Sequence, residues 1–185
     1  MDDLSRQLRC SKSTLYSHIP SKQLLGPIVS RLLFRKIRQH LTSTFAEKLG
    51  PTERLAEFVV ISILHWQRTS TTFREQLAST AATARIYEAG LRHATMYLEK
   101  VFAAGISEGT FRSVHPTFAA TAVVRLVADP GSRPLSEHDP VIASKRVETL
   151  LDFVIHSVLN TTSGTDTVNY WTRQFTSLHC HSLET

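Results

Sequence analysis

The fold is decided by one short stretch near the start of the chain, Ser11-Lys12-Ser13-Thr14-Leu15-Tyr16-Ser17-His18-Ile19-Pro20-Ser21-Lys22. The Ser11 hydroxyl can cap the free backbone N–H groups of a first helical turn, and Pro20 disfavours continuation of the helix. The stretch therefore predicts a helix of about two turns. Leu15 and Ile19 lie four residues apart and share one face, whereas the serines project from the other side. Because so short a helix depends on its neighbours, we expect a narrow buried face and an exposed polar one.

A second short helix is predicted immediately upstream, over residues 2–8. Its acidic start suits the positive end of a helix dipole, and Leu4 and Leu8 share one face. Only Arg9 and Cys10 join the two helices, so the link must be a tight turn. Two short helices joined in this way are typical of a helix-turn-helix, whose second helix enters the major groove of DNA.

The same residues resemble the N-terminal signature of the tetracycline-repressor (TetR) family of bacterial transcription regulators. The resemblance covers roughly residues 1–25 and is loose beyond them. The closest matches are Ser11, Leu15-Tyr16, His18 and Ser21-Lys22-Gln23-Leu24-Leu25. The resemblance implies that residues 11–19 form the recognition helix and that Lys22 contacts a phosphate at the start of the next helix.

The chain departs from the family pattern at three places. Arg9 stands where the family usually has glycine, and a non-glycine residue at positive φ costs about 1 kcal/mol or more. Ile19 replaces an aromatic residue and would fill less of the small core. The chain also begins inside what the resemblance makes the second of three helices, so we expect the first helix of the DNA-binding domain to be missing.

Eight residues are predicted to contact double-stranded DNA. Hydroxyl groups suit base edges, and cations and phenols suit phosphates. We expect Ser13, Thr14 and Ser17 near base edges, with Lys22 among the residues at or beside phosphates. The full predicted set is Ser11, Lys12, Ser13, Thr14, Tyr16, Ser17, His18 and Lys22.

Positive charge is concentrated at the start of the chain. The formal charge is +5, and residues 1–50 hold nine lysines and arginines against three acidic residues. No acidic residue occurs between Leu4 and Ala46. Such a surface is expected to neutralise phosphates, although the cations at Arg35, Lys36 and Arg38 also suit a solvated helix face.

The rest of the chain predicts helices only, so the fold class is all-α: an incomplete helix-turn-helix followed by a helical bundle. Pro51 or Thr52 opens a helix to about Arg68 that is apolar nearly all round and therefore belongs in the middle of the bundle. Further helices are predicted within 71–83, over 84–108, over 116–127 and from Pro140 to about Leu159, with a cluster of breakers at 129–134.

Two arrangements are open around Gly26-Pro27. A continuous helix from about Lys22, as in the family, places the proline inside the helix at a cost of about 3 kcal/mol. Alternatively, residues 21–26 form a turn and Pro27 is the first residue of the long helix, where proline is favourable.

The sequence suggests three regions. Residues 1–45 hold the helix-turn-helix segment and a connecting helix, and residues 46–160 form a ligand-binding and dimerisation domain. Residues 161–185 form a polar tail. Because ten of the residues in 160–185 are serine or threonine, we expect this tail to be mostly disordered or loosely docked.

The bundle is predicted to hold a ligand cavity and a dimer interface. The cavity is expected near Phe58, His65, Trp66, Phe102 and Val124, although His65 beside Trp66 also suits a core histidine. By the resemblance, the last two apolar helices pair with a second copy as a four-helix bundle, and an intramolecular core is the alternative for the same residues. The interface set is Val123, Val127, Val147, Leu150, Leu151, Val154 and Val158.

Catalytic, metal and cofactor motifs are absent from the sequence. No HExxH, GxSxG or phosphate-loop spacing occurs, so we predict a protein that is not an enzyme and has neither cofactor nor metal. Cys10 and Cys180 are interpreted as free thiols, and His179-Cys180-His181 as part of a polar tail. Without an apolar leader or a run long enough to span a bilayer, the chain is expected to be soluble and cytoplasmic.

These features predict a transcription regulator, specifically a repressor. It would act as a homodimer on a palindromic operator and be released from DNA by an unidentified small-molecule ligand. The alternative is a truncated helical module that dimerises or binds a small molecule but does not bind DNA. The missing first helix motivates that alternative.

Overall fold

The computed structural model describes residues 1–42, 48–77, 79–128, 140–160 and 165–183. The described residues form nine α-helices and one short 3₁₀ helix, Lys22–Leu24. The helices are α1 Asp2–Gln7, α2 Lys12–His18, α3 Leu25–Leu41, α4 Pro51–Gln67, α5 Thr71–Leu77, α6 Ala81–Ser107, α7 Pro116–Ala128, α8 Pro140–Val158 and α9 Thr165–Leu183. Within these ranges there is no β-strand, which confirms the all-α class, and Phe111 and Leu159 form an isolated antiparallel bridge.

Helix α4 is the centre of the body and packs against α3, α6, α7, α8 and α9. Twelve of its 17 residues are buried. Pro51 occupies the start of the helix, where its missing N–H breaks no hydrogen bond. The prediction of a central helix that is apolar nearly all round is therefore confirmed.

Helix α6 begins three residues earlier than the sequence pattern indicates. The Thr80 hydroxyl accepts a hydrogen bond from the Thr83 backbone N–H at 3.2 Å and caps the helix there. At the other end, Gly109 follows the C-cap residue Glu108 with φ 74, a left-handed conformation that favours glycine.

Pro27 occupies the third position of α3, which begins at Leu25 after the 3₁₀ turn. Both arrangements considered from the sequence are therefore wrong in detail. The helix starts neither at Pro27 nor as one continuous α-helix from Lys22. The first N–H groups of a helix have no intrahelical acceptor, so a proline in the first turn sacrifices no hydrogen bond.

The prediction of a disordered or loosely docked tail is wrong, because residues 165–183 form helix α9, which packs on α8 and α4. Val168, Trp171 and Phe175 are buried. Their spacings of three and four residues place them on one helical face. The many serines and threonines hide this stripe in a composition count, but they leave one face of the helix apolar.

Some predictions lie outside the described residues. They are the breaker cluster at 129–134 and residues 161–164 of the predicted tail. The side chains of His179, Cys180 and His181 are likewise outside the described set. In the part of the chain that is described, no helix is long and apolar enough to cross a membrane.

Candidate DNA interface and ligand cavity

Helix α2 has the exposure pattern predicted from the sequence. Ser11 is its N-cap, and the Ser11 hydroxyl accepts a hydrogen bond from the Thr14 backbone N–H at 3.1 Å. Leu15 is only 5% exposed, whereas Ser13 and Ser17 are exposed. All eight residues predicted to contact DNA lie on the surface of the chain.

The hydroxyl groups at the start of α2 form a small cluster. Ser11 Oγ lies 2.7 Å from Ser13 Oγ and 2.8 Å from Thr14 Oγ1. The Ser17 hydroxyl donates to the Thr14 carbonyl oxygen at 2.7 Å. Ser11 therefore supports the helix end, while Ser13, Thr14 and Ser17 retain acceptor capacity toward solvent.

Lys12 has an intramolecular partner that the sequence did not reveal. Its Nζ lies 2.8 Å from Asp2 Oδ1, and both side chains are exposed. The hydrogen bond and charge of Lys12 lower the pKa of the Asp2 carboxyl, and Asp2 raises the pKa of Lys12. A phosphate contact by Lys12 would therefore require exchanging Asp2 for the phosphate.

The turn between α1 and α2 has the conformation that the sequence predicted. Arg9 has φ 50, in the left-handed region. The Cys10 backbone N–H donates to the Ser5 carbonyl oxygen at 3.0 Å and closes the turn. Ser5 is buried, and its hydroxyl donates to the Asp2 carbonyl oxygen at 2.9 Å. The strain expected of a non-glycine residue at this position is therefore present.

The cations of α3 divide between two sides of the helix. Arg31, Arg35 and Arg38 line a cleft between α3 and α6, which we call the basic cleft. Lys36 lines a different cleft that also contains His65. These neighbouring cations could not be separated from the sequence alone, because the sequence does not show which helices flank α3.

A cavity of about 240 Å³ lies between α3, α4, α6 and α7. Three of the five residues predicted to line it, Phe58, Trp66 and Val124, do so. The other lining residues are Phe34, Ile37, Arg38, Leu41, Thr42, Ser62, Gly90, Leu91, His93, Ala94, Met96, Tyr97, Lys100, Val127 and Ala128.

The other two predicted cavity residues lie elsewhere. His65 borders the cleft beside Lys36 and Phe73, and its Nδ1 lies 2.8 Å from the Ile61 carbonyl oxygen. Burial lowers the pKa of His65. Phe102 is fully buried in the core, with its ring centroid 5.6 Å from that of Phe111. Neither residue lines the cavity. On α4 the lining residues are Phe58, Ser62 and Trp66, at intervals of four residues, and on α6 the lining residues end at Lys100, before Phe102.

Two aromatic residues that line the cavity, Phe34 and Trp66, pack in one group with Tyr87. The Phe34 ring lies 6.3 Å from Trp66 and 6.1 Å from Tyr87, measured between centroids. Tyr87 donates a hydrogen bond to the Ala128 carbonyl oxygen at 2.6 Å, which ties α6 to the end of α7. A Cβ at Gly90 would lie 2.4 Å from the Phe34 ring. Glycine at this position therefore allows Phe34 to lie against α6.

Buried polar groups lie near the cavity. Neither Glu57 carboxyl oxygen nor the Tyr97 hydroxyl has a hydrogen-bond partner within the described residues, and Tyr97 lines the cavity. Burial raises the pKa of Glu57 to about 7, and burial followed by the Glu57 charge raises the pKa of Tyr97 to about 12. His40 Nε2 is 3.7 Å from Glu57 Oε1, and burial lowers the pKa of His40. Both shifts favour the neutral forms, so this contact is a weak ion pair at neutral pH.

The residues predicted for the dimer interface are packed inside the chain itself. Val123, Val127, Val147, Leu151, Val154 and Val158 are buried in the core, and Leu150 is half-buried. The intramolecular alternative therefore describes them correctly. Side chains already covered by their own chain have little surface left for a partner.

The opposite faces of the same two helices expose large apolar side chains. Phe118 and Leu126 on α7 are 74% and 42% exposed, and Phe153 on α8 is 65% exposed. Phe118 and Leu126 are eight residues apart and share a face with Ala122. Sequence reasoning missed this surface because it chose the stripe with the most aliphatic residues, which is the stripe that the core uses.

Comparisons with known proteins identify the fold. No protein-family model and no curated protein sequence matches the chain. The ketosteroid regulator KstR2 of Mycobacterium tuberculosis superimposes with a TM-score of 0.63 at 18% identity, covering 86% of this chain and 84% of that one. Apo AibR superimposes with a TM-score of 0.59 at 22% identity, covering 85% of this chain and 86% of that one.

Two further solved structures have the same fold as this chain. A TetR-family regulatory protein from Rhodococcus RHA1 gives a TM-score of 0.55 at 20% identity, covering 83% of this chain and 84% of that one. The structure of AibR in complex with isovaleryl coenzyme A and operator DNA gives a TM-score of 0.54 at 22% identity, covering 80% of this chain and 85% of that one. The chain therefore has the fold of the TetR-family transcription regulators.

Proposed function

We propose that the chain is a member of the TetR family and acts as a ligand-responsive transcription regulator, specifically a repressor. One observation carries this proposal: α2 buries Leu15 and exposes Ser13 and Ser17. A short helix with small hydroxyls outward suits the major groove, where serine and threonine can pair with any base edge. AibR, which has the same fold, has been crystallised with operator DNA.

The proposed DNA contacts follow from the chemistry of the exposed side chains. Ser13, Thr14 and Ser17 would lie near base edges, because their exposed hydroxyl oxygens can accept hydrogen bonds from the bases. Tyr16, His18 and Lys22 would lie at or beside phosphates, and Lys12 would join them after releasing Asp2. Ser11 would contribute indirectly, by capping the start of α2 and so holding the helix in place.

We further propose a homodimer that reads a palindromic operator. The exposed Phe118, Leu126 and Phe153 provide the apolar surface on α7 and α8 that a second copy would cover. Two copies related by a two-fold axis present two helix-turn-helix segments, which we call the readers, to two half-sites. The binding energies of the two readers add approximately.

Release from DNA by a ligand is supported by the position of the cavity. Phe34, Ile37, Arg38 and Leu41 of α3 line it, and the same helix follows α2 through the 3₁₀ turn. A ligand that binds one arrangement of α3 better than another would shift the spacing of the two readers. We assign no catalytic role, because the site combines an apolar cavity with a DNA-reading helix.

The test is DNA binding by the full protein as its gene encodes it, using the DNA upstream of that gene. Lys22→Ala should weaken binding to all sequences and reduce the slope of log affinity against log salt by about one phosphate's worth. Lys145→Ala, an exposed lysine on α8, is the matched control and should change neither quantity. An unchanged slope for Lys22→Ala removes that lysine from the interface, and no binding by the parent protein overturns the proposal.

A further inference from the structure

The cavity and the basic cleft are neighbours with a shared wall. Phe34, Arg38, Gly90 and His93 line both of them. Phe34 is half-buried and lies against Gly90, so one aromatic ring separates a largely apolar space from a surface carrying cations. A ligand that entered both would have an apolar part and an anionic part.

The size of the cavity limits the apolar part. A cavity of about 150 Å³ accommodates benzene, so about 240 Å³ suits an apolar group of roughly five to ten carbon atoms. Sites for whole drug-sized ligands are usually larger, about 300–1,000 Å³. A larger ligand would therefore keep its remaining atoms outside, in the basic cleft.

The charges of the basic cleft define the other part. Arg31, Arg35 and Arg38 follow one another at intervals of four and three residues on the side of α3 that faces α6. None of them forms an ion pair with a described residue. The nearby acid on α6, Glu88, lies 3.6 Å from Arg125 instead. Arginine presents a planar fork of donors that matches phosphate, and three in a row suit more than one phosphate group.

We propose, on the basis of the regulator function above, that cavity and cleft form one two-part site for a short-chain acyl thioester of coenzyme A. The acyl group occupies the cavity, and the nucleotide phosphates lie along Arg31, Arg35 and Arg38. The ligand thereby contacts the helix that follows the DNA-reading pair.

The Tyr97 hydroxyl gives this assignment an additional polar anchor. It is buried, lines the cavity and has no partner within the described residues. A buried hydroxyl without a partner is costly, and a ligand carbonyl oxygen can accept its hydrogen bond. A thioester provides one carbonyl oxygen next to the acyl chain, where a pure hydrocarbon provides none.

Isothermal titration calorimetry tests the proposal with three probes: isovaleryl coenzyme A, coenzyme A alone and isovalerate. The parent protein should bind the thioester about tenfold or more tighter than either part, with an affinity that falls as salt rises. Arg35→Gln should weaken thioester binding about tenfold, whereas the matched control Lys36→Gln, its neighbour on the other side of α3, should leave it unchanged.

Two cavity variants test the acyl part. Ala94→Leu fills the cavity and should reduce the affinity for the thioester to that for coenzyme A. Tyr97→Phe should weaken thioester binding without affecting coenzyme A. Thermal unfolding of each variant confirms that it is folded.

The outcomes separate this inference from the proposed function. Equal binding of isovalerate and the thioester, or equal effects of Arg35→Gln and Lys36→Gln, overturns the two-part site even if DNA binding is intact. If the protein shows the predicted pattern of thioester binding but does not bind its upstream DNA, the two-part site is supported. The proposed regulator function is then overturned.

Discussion

Arg9 joins α1 to α2 with a backbone angle, φ 50, that favours glycine. The left-handed conformation costs a non-glycine residue about 1–2 kcal/mol. We expect Arg9→Gly to raise the free energy of unfolding by about 1 kcal/mol, because glycine relieves this strain. The gain is smaller than the full strain energy, because the greater entropy of glycine in the unfolded chain opposes folding. Urea unfolding followed by circular dichroism measures the change.

Arg6→Gly is the control for Arg9→Gly, because Arg6 lies within α1. Glycine in a helix costs about 1 kcal/mol relative to a good helix former, so this change should destabilise the protein. If both substitutions destabilise the protein equally, the strain at Arg9 does not contribute to its stability.

Glu57 is a buried carboxyl group whose effect on stability depends on pH. Burial raises its pKa from 4.5 to about 7, so folding favours the protonated form. The stability that this group permits is fully present below pH 4.5 and is lost as pH rises through 7. The shift corresponds to a penalty of about 3 kcal/mol at pH 9.

Glu57→Gln removes the charge and should therefore stabilise the protein at pH 9 by up to about 3 kcal/mol, with almost no effect at pH 4.5. Urea unfolding across this pH range measures the difference. Glu108→Gln, at an exposed position, is the matched control for the substitution itself. A constant difference between Glu57→Gln and the parent at all pH values would contradict the raised pKa.

At the residue scale, the sequence predicted what depends on local geometry. The Ser11 cap, the buried Leu15 and the positive φ at Arg9 each follow from neighbours within a few positions. The ion pair of Lys12 with Asp2 did not follow, because it crosses a turn. His65 was misplaced because a helix pattern does not show which neighbour each side meets.

At the scale of elements, α4 and α7 were predicted with bounds within two residues of those observed, because proline marks their first positions. Helix α9 was missed since its three buried residues, Val168, Trp171 and Phe175, stand among polar ones. For short amphipathic helices, the spacing of a few large apolar residues is more informative than composition.

If the outer faces of α7 and α8 form the proposed dimer interface, single charges there should change the oligomeric state. Phe153→Glu or Phe118→Glu would place a carboxylate in the proposed apolar interface, where it must lose its hydration. We expect either substitution to convert the proposed dimer to a monomer. Light scattering coupled to size-exclusion chromatography gives the mass directly.

Tyr170→Glu is the matched control for these substitutions, because Tyr170 is a 51% exposed aromatic on α9. It should leave the mass of the dimer unchanged. Phe153→Glu should leave the thermal stability of the folded chain largely intact, since that side chain contributes little to the chain's own core. A dimer that survives both Phe118→Glu and Phe153→Glu would place the interface elsewhere.

For the molecule as a whole, dimerisation and DNA reading should be linked. A single helix-turn-helix makes few base contacts, and half-sites one helical turn apart, about 34–36 Å, require two readers held at that distance. A dimer should therefore bind a palindrome from its upstream DNA far more tightly than one half-site.

The monomer expected from Phe153→Glu should bind one half-site as tightly as the parent does, because α2 is unchanged. It should bind the palindrome only about as tightly as the half-site, since the two readers are no longer joined. Fluorescence anisotropy at a single fixed salt concentration measures both affinities, and salt must be fixed because phosphate contacts make affinity depend on it. If the monomer keeps the full preference for the palindrome, the second copy does not contribute its reader through α7 and α8, and the link between the apolar outer face and DNA recognition is removed.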